Sequence, residues 1–271
     1  MKKLTAILLA ALLACLMLAG CAAPAENKDS DLAYLKEKGT MVIGITIYEP
    51  MNYYDADNKL IGFDTEYAEA VCEKLGLEPE FQVINWDTKE IELKSKTIDA
   101  IWNGLTINDE RRENMDFTDP YVKNMQVCVI KAENADLYKD TASMKDAKLV
   151  AEISSAGAGA IAADENLKQG EYTDVNTQAD ALFEVKAGTA DVAVIDYVMA
   201  KAMVGEGTDY ADLMIVDGVE LSVEEYGIGL RLGSDVTKAI NDATAELIKD
   251  GTLVKIAEKY DMAASLVANQ K

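Results

Sequence analysis

Two stretches of the chain carry side chains whose types and spacing suit the binding of a small charged molecule. The first is residues 154–160 (SSAGAGA), which follow a β-branched segment and open a predicted helix. Small residues there let a ligand approach the backbone N–H groups at the positive end of a helix dipole. The spacing of Gly157, Gly159 and Ala162 also fits a loose dinucleotide-binding fingerprint, but in the middle of the chain. The run favours a carboxylate site, with close helix packing as the alternative.

The second stretch is residues 99–111 (DAIWNGLTINDER), in which a predicted strand ends in hydroxyl and amide side chains. Asn103 and Thr106 follow this strand, and Arg111 comes a few residues later. In open α/β sheets, ligands bind beyond the carboxyl ends of the strands. Arg111 can hold a carboxylate there through two parallel hydrogen bonds. On its own, however, an arginine at this position is more often a surface residue at the start of a helix.

The composition excludes several kinds of function. The 271 residues include 26 lysines and arginines, 48 aspartates and glutamates, and no histidine. The net charge of −22 argues against a nucleic-acid partner, because phosphate binding needs clustered basic side chains. Without histidine there is no Ser–His–Asp triad, no His-ligated zinc and no imidazole proton shuttle. No Cys-x-x-Cys pair is present either, so we expect neither a metal nor a cofactor.

The amino terminus has the features of an export signal. Lys2 and Lys3 precede an apolar run that ends in the sequence LAGC at residues 18–21. A basic start, an apolar segment and small residues before a cleavage point are typical of a secretory signal peptide. The residues around Cys21 resemble the lipobox of bacterial lipoproteins. This implies a signal peptide over residues 1–20, a lipidated Cys21 and a polar tether over residues 21–34.

A lipidated Cys21 would anchor the protein in the cell membrane, with its body on the extracellular or periplasmic side. The alternative is an uncleaved membrane anchor, because residues 4–25 carry no charge and form a segment long enough to span a bilayer. Two cysteines remain in the body, Cys72 and Cys128. A disulfide can form in an exported protein. Isolated cysteines usually pack as small apolar side chains, so we expect two buried free thiols.

The body alternates short β-branched segments with helical ones. Strands are predicted at residues 41–47, 80–84, 98–102, 125–130, 148–153, 173–176, 192–196 and 226–231. Helices are predicted at residues 87–94, 157–168, 179–186, 197–204, 235–249 and 253–260, and a further helix is capped by Asp64 and ends at Gly76. Strands separated by helical segments predict parallel sheets. Because the βαβαβ pattern occurs once before residue 125 and once after it, we expect two similar α/β lobes.

Six motifs across the body resemble the amino-acid family of type II solute-binding proteins of ABC importers. They are YEPMNY at 48–53, IGFD at 61–64, IDAI at 98–101, LTINDER at 105–111 with DFTDPY at 116–121, AGTADVAVID at 187–196, and YGIGLR at 226–231. They occur in the family's order and spacing. The resemblance implies a two-lobed, periplasmic-binding-protein-like α/β fold in which each lobe is a sheet flanked by helices. We expect residues 35–124 and 226–271 to form a discontinuous first lobe and residues 125–225 the second.

The resemblance also implies a function. Members of this family bind a free L-amino acid in the cleft between the lobes and deliver it to the membrane permease of an ABC importer. The expected partners are therefore an amino acid, the permease subunits and the membrane that holds the lipid anchor, with the protein itself a monomer and not an enzyme. Two alternatives remain open, a sensor ectodomain and an enzyme similar to cyclohexadienyl dehydratase. The enzyme would need a carboxylic acid in the cleft, for which Glu152 is the obvious candidate.

The family's ligand-binding roles can be carried over residue by residue. Its positions fall on Tyr48, Asn103, Gly104, Thr106, Arg111, Glu152, Ser155, Ala156 and Asp196. The resemblance implies that Arg111 clamps the ligand's α-carboxylate, together with N–H groups of the loop that contains Ser155 and Ala156. It implies that Asp196 binds the α-ammonium group and that Tyr48 packs on the ligand's side chain. The residues after the third strand supply further contacts.

Three departures from the family bear on the choice of ligand. Where many members carry Thr-Asp after the glycine of the first strand, this chain has Ile45, so a basic ligand loses a partner. Ala156 replaces the usual threonine, which leaves only its backbone N–H group. Glu152 lies where the family often has a neutral residue, and it can restore a polar contact. Ile45, Trp86 and Trp102 complete the expected side-chain pocket, with core packing as the alternative for one tryptophan. The expected ligand is a polar or neutral L-amino acid.

Overall fold

In the computed structural model, which describes residues 30–270, the first sheet is assembled from two distant parts of the chain. The amino-terminal strands are β1 (Thr40–Ile45), β2 (Tyr53–Tyr54), β3 (Leu60–Ile61), β4 (Glu78–Val83), β5 (Ala100–Ile101) and β6 (Asp116–Phe117). A late strand, β12 (Gly229–Leu230), completes a sheet of order β4-β1-β5-β12-β6. In it, β4 and β5 run parallel to β1, whereas β12 is antiparallel to β5 and β6. Strands β2 and β3 form a separate hairpin.

The second sheet comes from the middle of the chain. Its strands are β7 (Val122–Lys131), β8 (Lys148–Glu152), β9 (Glu171–Val175), β10 (Val192–Asp196) and β11 (Leu213–Tyr226), in the order β11-β7-β10-β8-β9. β8 runs parallel to β9 and β10, but β7 is antiparallel to both β10 and β11. The predicted parallel pairing therefore holds for β8, β9 and β10, whereas β7 and β11 run antiparallel because they carry the chain into and out of this sheet in opposite directions.

Helices cover both sheets. They are α1 (Asp31–Lys38), α2 (Phe63–Leu75), α3 (Lys89–Lys94), α4 (Asp109–Arg112), α5 (Ala156–Ala163), α6 (Gln178–Ala187), α7 (Tyr197–Met203), α8 (Val236–Lys249) and α9 (Thr252–Lys259). The apolar face of α8 repeats at helical spacing and is buried at Val236, Ile240, Ala243 and Leu247. Helices α8 and α9 both pack against α2, so the end of the chain returns to the first sheet.

The predicted end of the amino-terminal tether needs a correction. The signal peptide and Cys21 lie outside the described residues. The tether was expected to reach residue 34, but α1 begins at Asp31 with Ser30 as its N-cap. Two contacts hold this helix to the carboxyl-terminal part of the chain: Arg231 Nε donates to Asp31 at 2.8 Å, and the Leu32 amide donates to Asp235 at 2.8 Å.

Asp64 does not cap α2 as predicted. The helix begins at Phe63, and Asp64 is fully buried in its first turn. Its carboxylate accepts hydrogen bonds from the Gly104 amide at 2.8 Å and from the Tyr121 hydroxyl at 2.9 Å. Burial raises the pKa of Asp64 to about 7, and these two hydrogen bonds oppose the shift. Asp64 thus fixes the loop after β5 instead of the start of the helix.

The two cysteines are buried free thiols, as predicted. Cys72 lies on α2 and Cys128 on β7, so they belong to different parts of the fold. Burial raises the pKa of each thiol to about 12. Over residues 30–270, every helix is too short or too polar to cross a membrane.

Strands β7 and β11 lie side by side and connect the two sheets. Val122 at the start of β7 pairs with Tyr226 at the end of β11. Tyr226 also forms a bridge with Thr106, which belongs to the loop after β5 of the first sheet. The loop after β5 therefore lies directly beside the two connecting strands.

Candidate functional site

A small cavity lies between the two sheets. One side comes from the segments that follow β1 and β5, and the other comes from the end of β8, the start of α5 and the end of β10. The cavity is lined by Tyr48, Trp86, Asn103, Gly104, Thr106, Arg111, Glu152, Ser155, Ala156, Gln178 and Asp196. All nine residues predicted for the ligand site thus meet in one place, and Trp86 from the predicted side-chain pocket joins them.

Arg111 is the cation of the first side of the cavity. It lies in the single turn of α4, whose N-cap Asn108 accepts a hydrogen bond from the Arg111 amide at 2.8 Å. The side chain is only 6% exposed, and its guanidinium donates to the backbone carbonyls of Thr106 at 2.8 Å and Ser154 at 3.4 Å. A guanidinium carries five N–H donors, so most of them remain available for a ligand carboxylate.

Helix α5 presents its amino terminus to the cavity. Ser155 is its N-cap and accepts a hydrogen bond from the Ala158 amide at 3.1 Å. The Ser155 amide donates to the Glu152 carbonyl at 3.2 Å, and the predicted contact of this N–H group with a ligand stays a prediction. The first helical N–H groups, on Ala156 and Gly157, have no acceptor within the helix. Of these two residues, Ala156 lines the cavity, and its N–H group is the donor available to an anion.

Gly157 has a packing role. A β-carbon at this position would lie 2.5 Å from the carbonyl oxygen of Val194, so only glycine allows α5 to approach β10 this closely. The alternative of close packing, which the sequence left open, therefore holds for Gly157. Gly159 differs, because a β-carbon there would meet nothing within 4 Å.

Asp196 is the acid on the second side of the cavity. It ends β10, and amide side chains surround it: Oδ1 accepts hydrogen bonds from Asn124 and Gln126 at 2.6 Å each, and Oδ2 accepts one from Gln178. Gln178 also accepts a hydrogen bond from the Asp196 backbone amide at 2.9 Å. Within residues 30–270, no lysine or arginine forms an ion pair with this buried carboxylate. A buried charge of this kind is stabilised by binding a cation.

Glu152 is a second acid beside Asp196. It is 3% exposed, and its Oε1 atom has no hydrogen-bond partner among the described residues. Burial raises the pKa of Glu152 to about 8, the Asp196 charge adds to the shift, and Lys89 and Arg111 oppose it. Glu152 therefore holds its proton more readily than an exposed glutamate, and its carboxyl group can form hydrogen bonds with a polar ligand.

Asn103 and Gly104 shape the first side of the cavity. The Asn103 amide oxygen accepts from the Thr46 amide and hydroxyl at 3.0 and 2.7 Å, and its nitrogen donates to the Thr46 carbonyl and to Asn52 at 2.9 and 2.7 Å. These four bonds use the full capacity of the side chain, so Asn103 supports the loop and offers a ligand only its backbone. Gly104 has φ +58°, and a β-carbon there would lie 2.7 Å from the Tyr48 ring.

Two members of the predicted side-chain pocket lie elsewhere. Ile45 is fully buried in the core beneath β1, and Trp102 is fully buried against Tyr67, with the rings edge-on and 4.8 Å apart. Neither side chain lines the cavity. Trp86 does line the cavity, and its ring lies 5.9 Å from the Arg111 guanidinium and 4.8 Å from Lys89 Nζ.

Ser154 connects the two sides of the cavity. Its backbone has φ +56°, in the left-handed region. Its hydroxyl donates to Asp87 at 2.6 Å, and its carbonyl accepts from Lys89 at 3.3 Å and from Arg111 at 3.4 Å. The loop after β8 is therefore held against three side chains from the first part of the chain, in a closed arrangement.

Three residues that surround the charged groups were not predicted. Gln178 begins α6 and binds Asp196, Lys89 is buried beside Trp86, and Glu224 lies on β11. Burial lowers the pKa of Lys89 to about 8, with help from the Arg111 charge. None of the three belongs to a motif, and only their place in the fold brings them here. In the part of the chain that the structure describes, no group of His, Cys, Asp and Glu residues is arranged to hold a metal ion.

The chain is similar to known binding proteins. A sequence model of the bacterial extracellular solute-binding proteins, family 3, matches residues 41–263. The L-cystine-binding protein TcyJ of Escherichia coli (strain K12) is 32% identical over 250 residues, or 90% of this chain and 91% of TcyJ. The arginine-binding extracellular protein ArtP of Bacillus subtilis (strain 168) is 29% identical over 268 residues, which cover 96% of this chain and 98% of ArtP. The solved structure of the ancestral amino acid-binding protein AncCDT-1, a precursor of cyclohexadienyl dehydratase, matches with a TM-score of 0.77 and 29% identity, over 85% of this chain and 99% of AncCDT-1.

Proposed function

The chain belongs to the bacterial extracellular solute-binding proteins, family 3, and from this premise we propose that it binds a free L-amino acid between its two lobes and delivers it to the permease of an ABC importer. The two-lobed α/β architecture expected from the sequence is confirmed by its solved relatives. We take residues 35–124 and 226–270 as the first lobe and residues 125–225 as the second. The lobe boundaries then fall within β7 and at the end of β11, the two connecting strands.

One observation carries the proposal: a single buried cavity holds Arg111 on one side and Asp196 on the other. An amino acid is a zwitterion, and these two groups match its two charges. Arg111 and the Ala156 N–H group would bind the α-carboxylate, while Asp196 would bind the α-ammonium group. Each charge-assisted hydrogen bond contributes about 1.5–3 kcal/mol net. A few of them together reach the ~8 kcal/mol of micromolar binding.

Glu152 and Trp86 lie where the ligand's side chain would continue. The Oε1 atom of Glu152 is buried without a partner and can accept a hydrogen bond. We therefore propose that the ligand's side chain carries an N–H or ammonium donor. The relatives named for cystine and arginine bind amino acids of this kind.

We expect a cognate amino acid to raise the melting temperature of the protein by roughly 5–11 °C. Ligand at 100 times its Kd stabilises the folded state by about 2.7 kcal/mol, and a chain of this size gains about 2–4 °C per kcal/mol. The measurement is a thermal-shift panel of the twenty amino acids, cystine, ornithine and citrulline, with the N-acetyl form of each active compound as the control. Donor-bearing side chains should give larger shifts than aliphatic ones. A flat panel would contradict amino-acid binding.

Glu152 also favours a second candidate, a dehydratase, because a protonated carboxylic acid in a closed cleft can act as a general acid. We propose a binding role instead, because the relatives TcyJ and ArtP are both named as binding proteins. Incubation with arogenate or prephenate, followed by product detection, separates the two functions.

We further propose that the mature protein begins at Cys21 and is held at the outer face of the cell membrane by acyl chains on this residue. A Cys21→Ser variant should either leave the membrane fraction or accumulate as the uncleaved precursor, because stable anchoring requires the acyl chains. The measurement is membrane fractionation with immunoblotting, with Cys72→Ser as the matched control. A cleaved Cys21→Ser protein that still sediments with the membrane would contradict lipidation.

A further inference from the structure

Glu224 contacts the ammonium-binding part of the site although no motif includes it. It lies on β11, is 7% exposed, and lines the wider cleft that continues from the cavity past Thr106 and Arg111. Its Oε1 atom accepts hydrogen bonds from the Thr106 hydroxyl at 3.0 Å, from Asn124 at 2.6 Å and from Gln126 at 2.8 Å. Its Oε2 atom has no partner among the described residues.

Glu224 and Asp196 share the same donors. The amide nitrogens of Asn124 and Gln126 each donate to Oε1 of Glu224 and to Oδ1 of Asp196. The two carboxyl groups are therefore close neighbours, and the Asp196 charge helps to raise the pKa of Glu224. Two carboxylates in such a buried position repel each other, so both are ionised only when a cation lies beside them.

The charged groups around this pair do not supply that cation. Glu224 faces Arg111 from α4, Asp196 from β10, and the hydroxyl groups of Tyr48 and Tyr226. Arg111 is the only cation of these four, and it donates to the carbonyls of Thr106 and Ser154. In the proposed function it also binds the ligand's carboxylate. A proton on Glu224 neutralises one of the two carboxylates. It also turns one oxygen atom from a hydrogen-bond acceptor into a donor.

We propose that Glu224 is a second acid of the ammonium subsite, which holds a proton towards Asp196 when no ligand is bound and loses it when an ammonium group arrives. One proton leaves the Glu224 carboxyl group for the solvent, and the positive charge of the ligand takes its place. The inference rests on the proposed function, because it assumes a ligand with an ammonium group. It assigns Glu224 a role in the affinity of the site and in its dependence on pH.

The direction of the pH dependence follows from the linkage between protons and ligand. Burial, followed by the Asp196 charge, raises the pKa of Glu224 from 4.5 to about 7, and the bonds from Asn124 and Gln126 oppose this shift. Below pH 7 the ligand must displace the proton, so its Kd rises as the pH falls. If Glu224 is fully ionised in the complex, a fall from pH 7.5 to 5.5 weakens binding by up to about 25-fold.

The first test measures Kd by calorimetry at pH 5.5, 6.5 and 7.5, with L-cystine, L-arginine and L-glutamine as separate probes. The wild type should lose affinity as the pH falls and release close to one proton at pH 6, seen by comparing the binding heats in phosphate and Bis-Tris buffers. Glu224→Gln should change by less than about threefold over the same range, because its amide cannot release a proton. Glu220→Gln is the matched control, since Glu220 is an exposed glutamate of the same strand, and it should keep the dependence. A Glu224→Gln variant with the dependence of the wild type would overturn the inference.

The second test needs no ligand. Carbon-13 NMR of protein labelled in its glutamate carboxyl groups should show one signal that titrates near pH 7 and is absent from Glu224→Gln. A Glu224 signal that titrates near its ordinary value of 4.5 would overturn the inference, whichever amino acids bind. If none of the three probes binds, amino-acid binding by this site is in doubt, whereas the NMR titration still decides the state of Glu224.

Discussion

Replacing Arg111 with alanine is expected to weaken the binding of the cognate amino acid by roughly 30- to 4,000-fold, which corresponds to about 2–5 kcal/mol. Arg111 is the only arginine that lines the cavity within the described residues, and burial leaves its guanidinium in a low-dielectric environment. Without it, the ligand's carboxylate would meet the N–H group of Ala156 alone. The Ser154 carbonyl would also lose a donor that holds the second lobe against the first.

The measurement is the calorimetric Kd of the amino acid that gives the largest thermal shift, after circular dichroism has confirmed folding. Arg111→Lys should recover only part of the loss, because an ammonium group cannot form the two parallel hydrogen bonds of a guanidinium. Arg112→Ala is the matched control: Arg112 is exposed and stacks on Phe117, 5.5 Å from its ring, so the variant should bind nearly as well as the wild type. Binding by Arg111→Ala within threefold of the wild type would contradict its role.

Asp196→Asn is expected to raise the Kd of the cognate amino acid by a similar factor, roughly 30- to 4,000-fold. The variant keeps the size of the side chain but removes the counter-ion of the ligand's ammonium group. The side-chain amides of Asn124, Gln126 and Gln178 already donate hydrogen bonds to the Asp196 carboxylate. The new NH2 group of the variant would face at least one of these donors, so a hydrogen bond is replaced by a contact between two donors.

Asp217→Asn serves as the control for charge, since Asp217 is exposed on β11 of the same lobe. If the loss came only from a lower negative charge of the protein, both variants would lose affinity alike. We expect the effect at Asp196 alone, measured by calorimetry at pH 7.5, where Glu224 is mostly ionised. An unchanged Kd for Asp196→Asn would mean that the ammonium group binds elsewhere, and the residue roles carried over from the family would not hold.

The sequence predicted which residues line the cavity, because the segments that supply them combine a strand end with polar residues at or after it. Arg111, Ser155 and Asp196 lie far apart in the sequence, yet each follows a segment with a clear β-branched pattern. Strand ends that meet between the lobes then bring their side chains together. The α/β class and most helix positions followed from the same periodicity.

The rest depended on tertiary contacts that no local pattern records. Residues 213–225 were not predicted as a strand, since shifts in register near Glu220 and many polar residues hide the alternation of β11. Glu224 was missed with that strand. Asp64 has the composition of a helix cap, but burial beside Gly104 and Tyr121 gives it another role. Trp102 resembles a pocket wall in the sequence, and only its burial against Tyr67 shows that it belongs to the core.

The two buried thiols make the protein convenient for measuring lobe motion by fluorescence. Burial raises the pKa of the Cys72 and Cys128 thiols to about 12 and also shields them from solvent, so we expect maleimide dyes to react slowly with both. A protein that starts at residue 30 contains no other cysteine. New cysteines at two exposed positions, such as Val83 in the first lobe and Phe183 in the second, can therefore carry a donor and an acceptor dye without removal of a native residue. The energy transfer between them would report opening and closing of the cleft in single molecules.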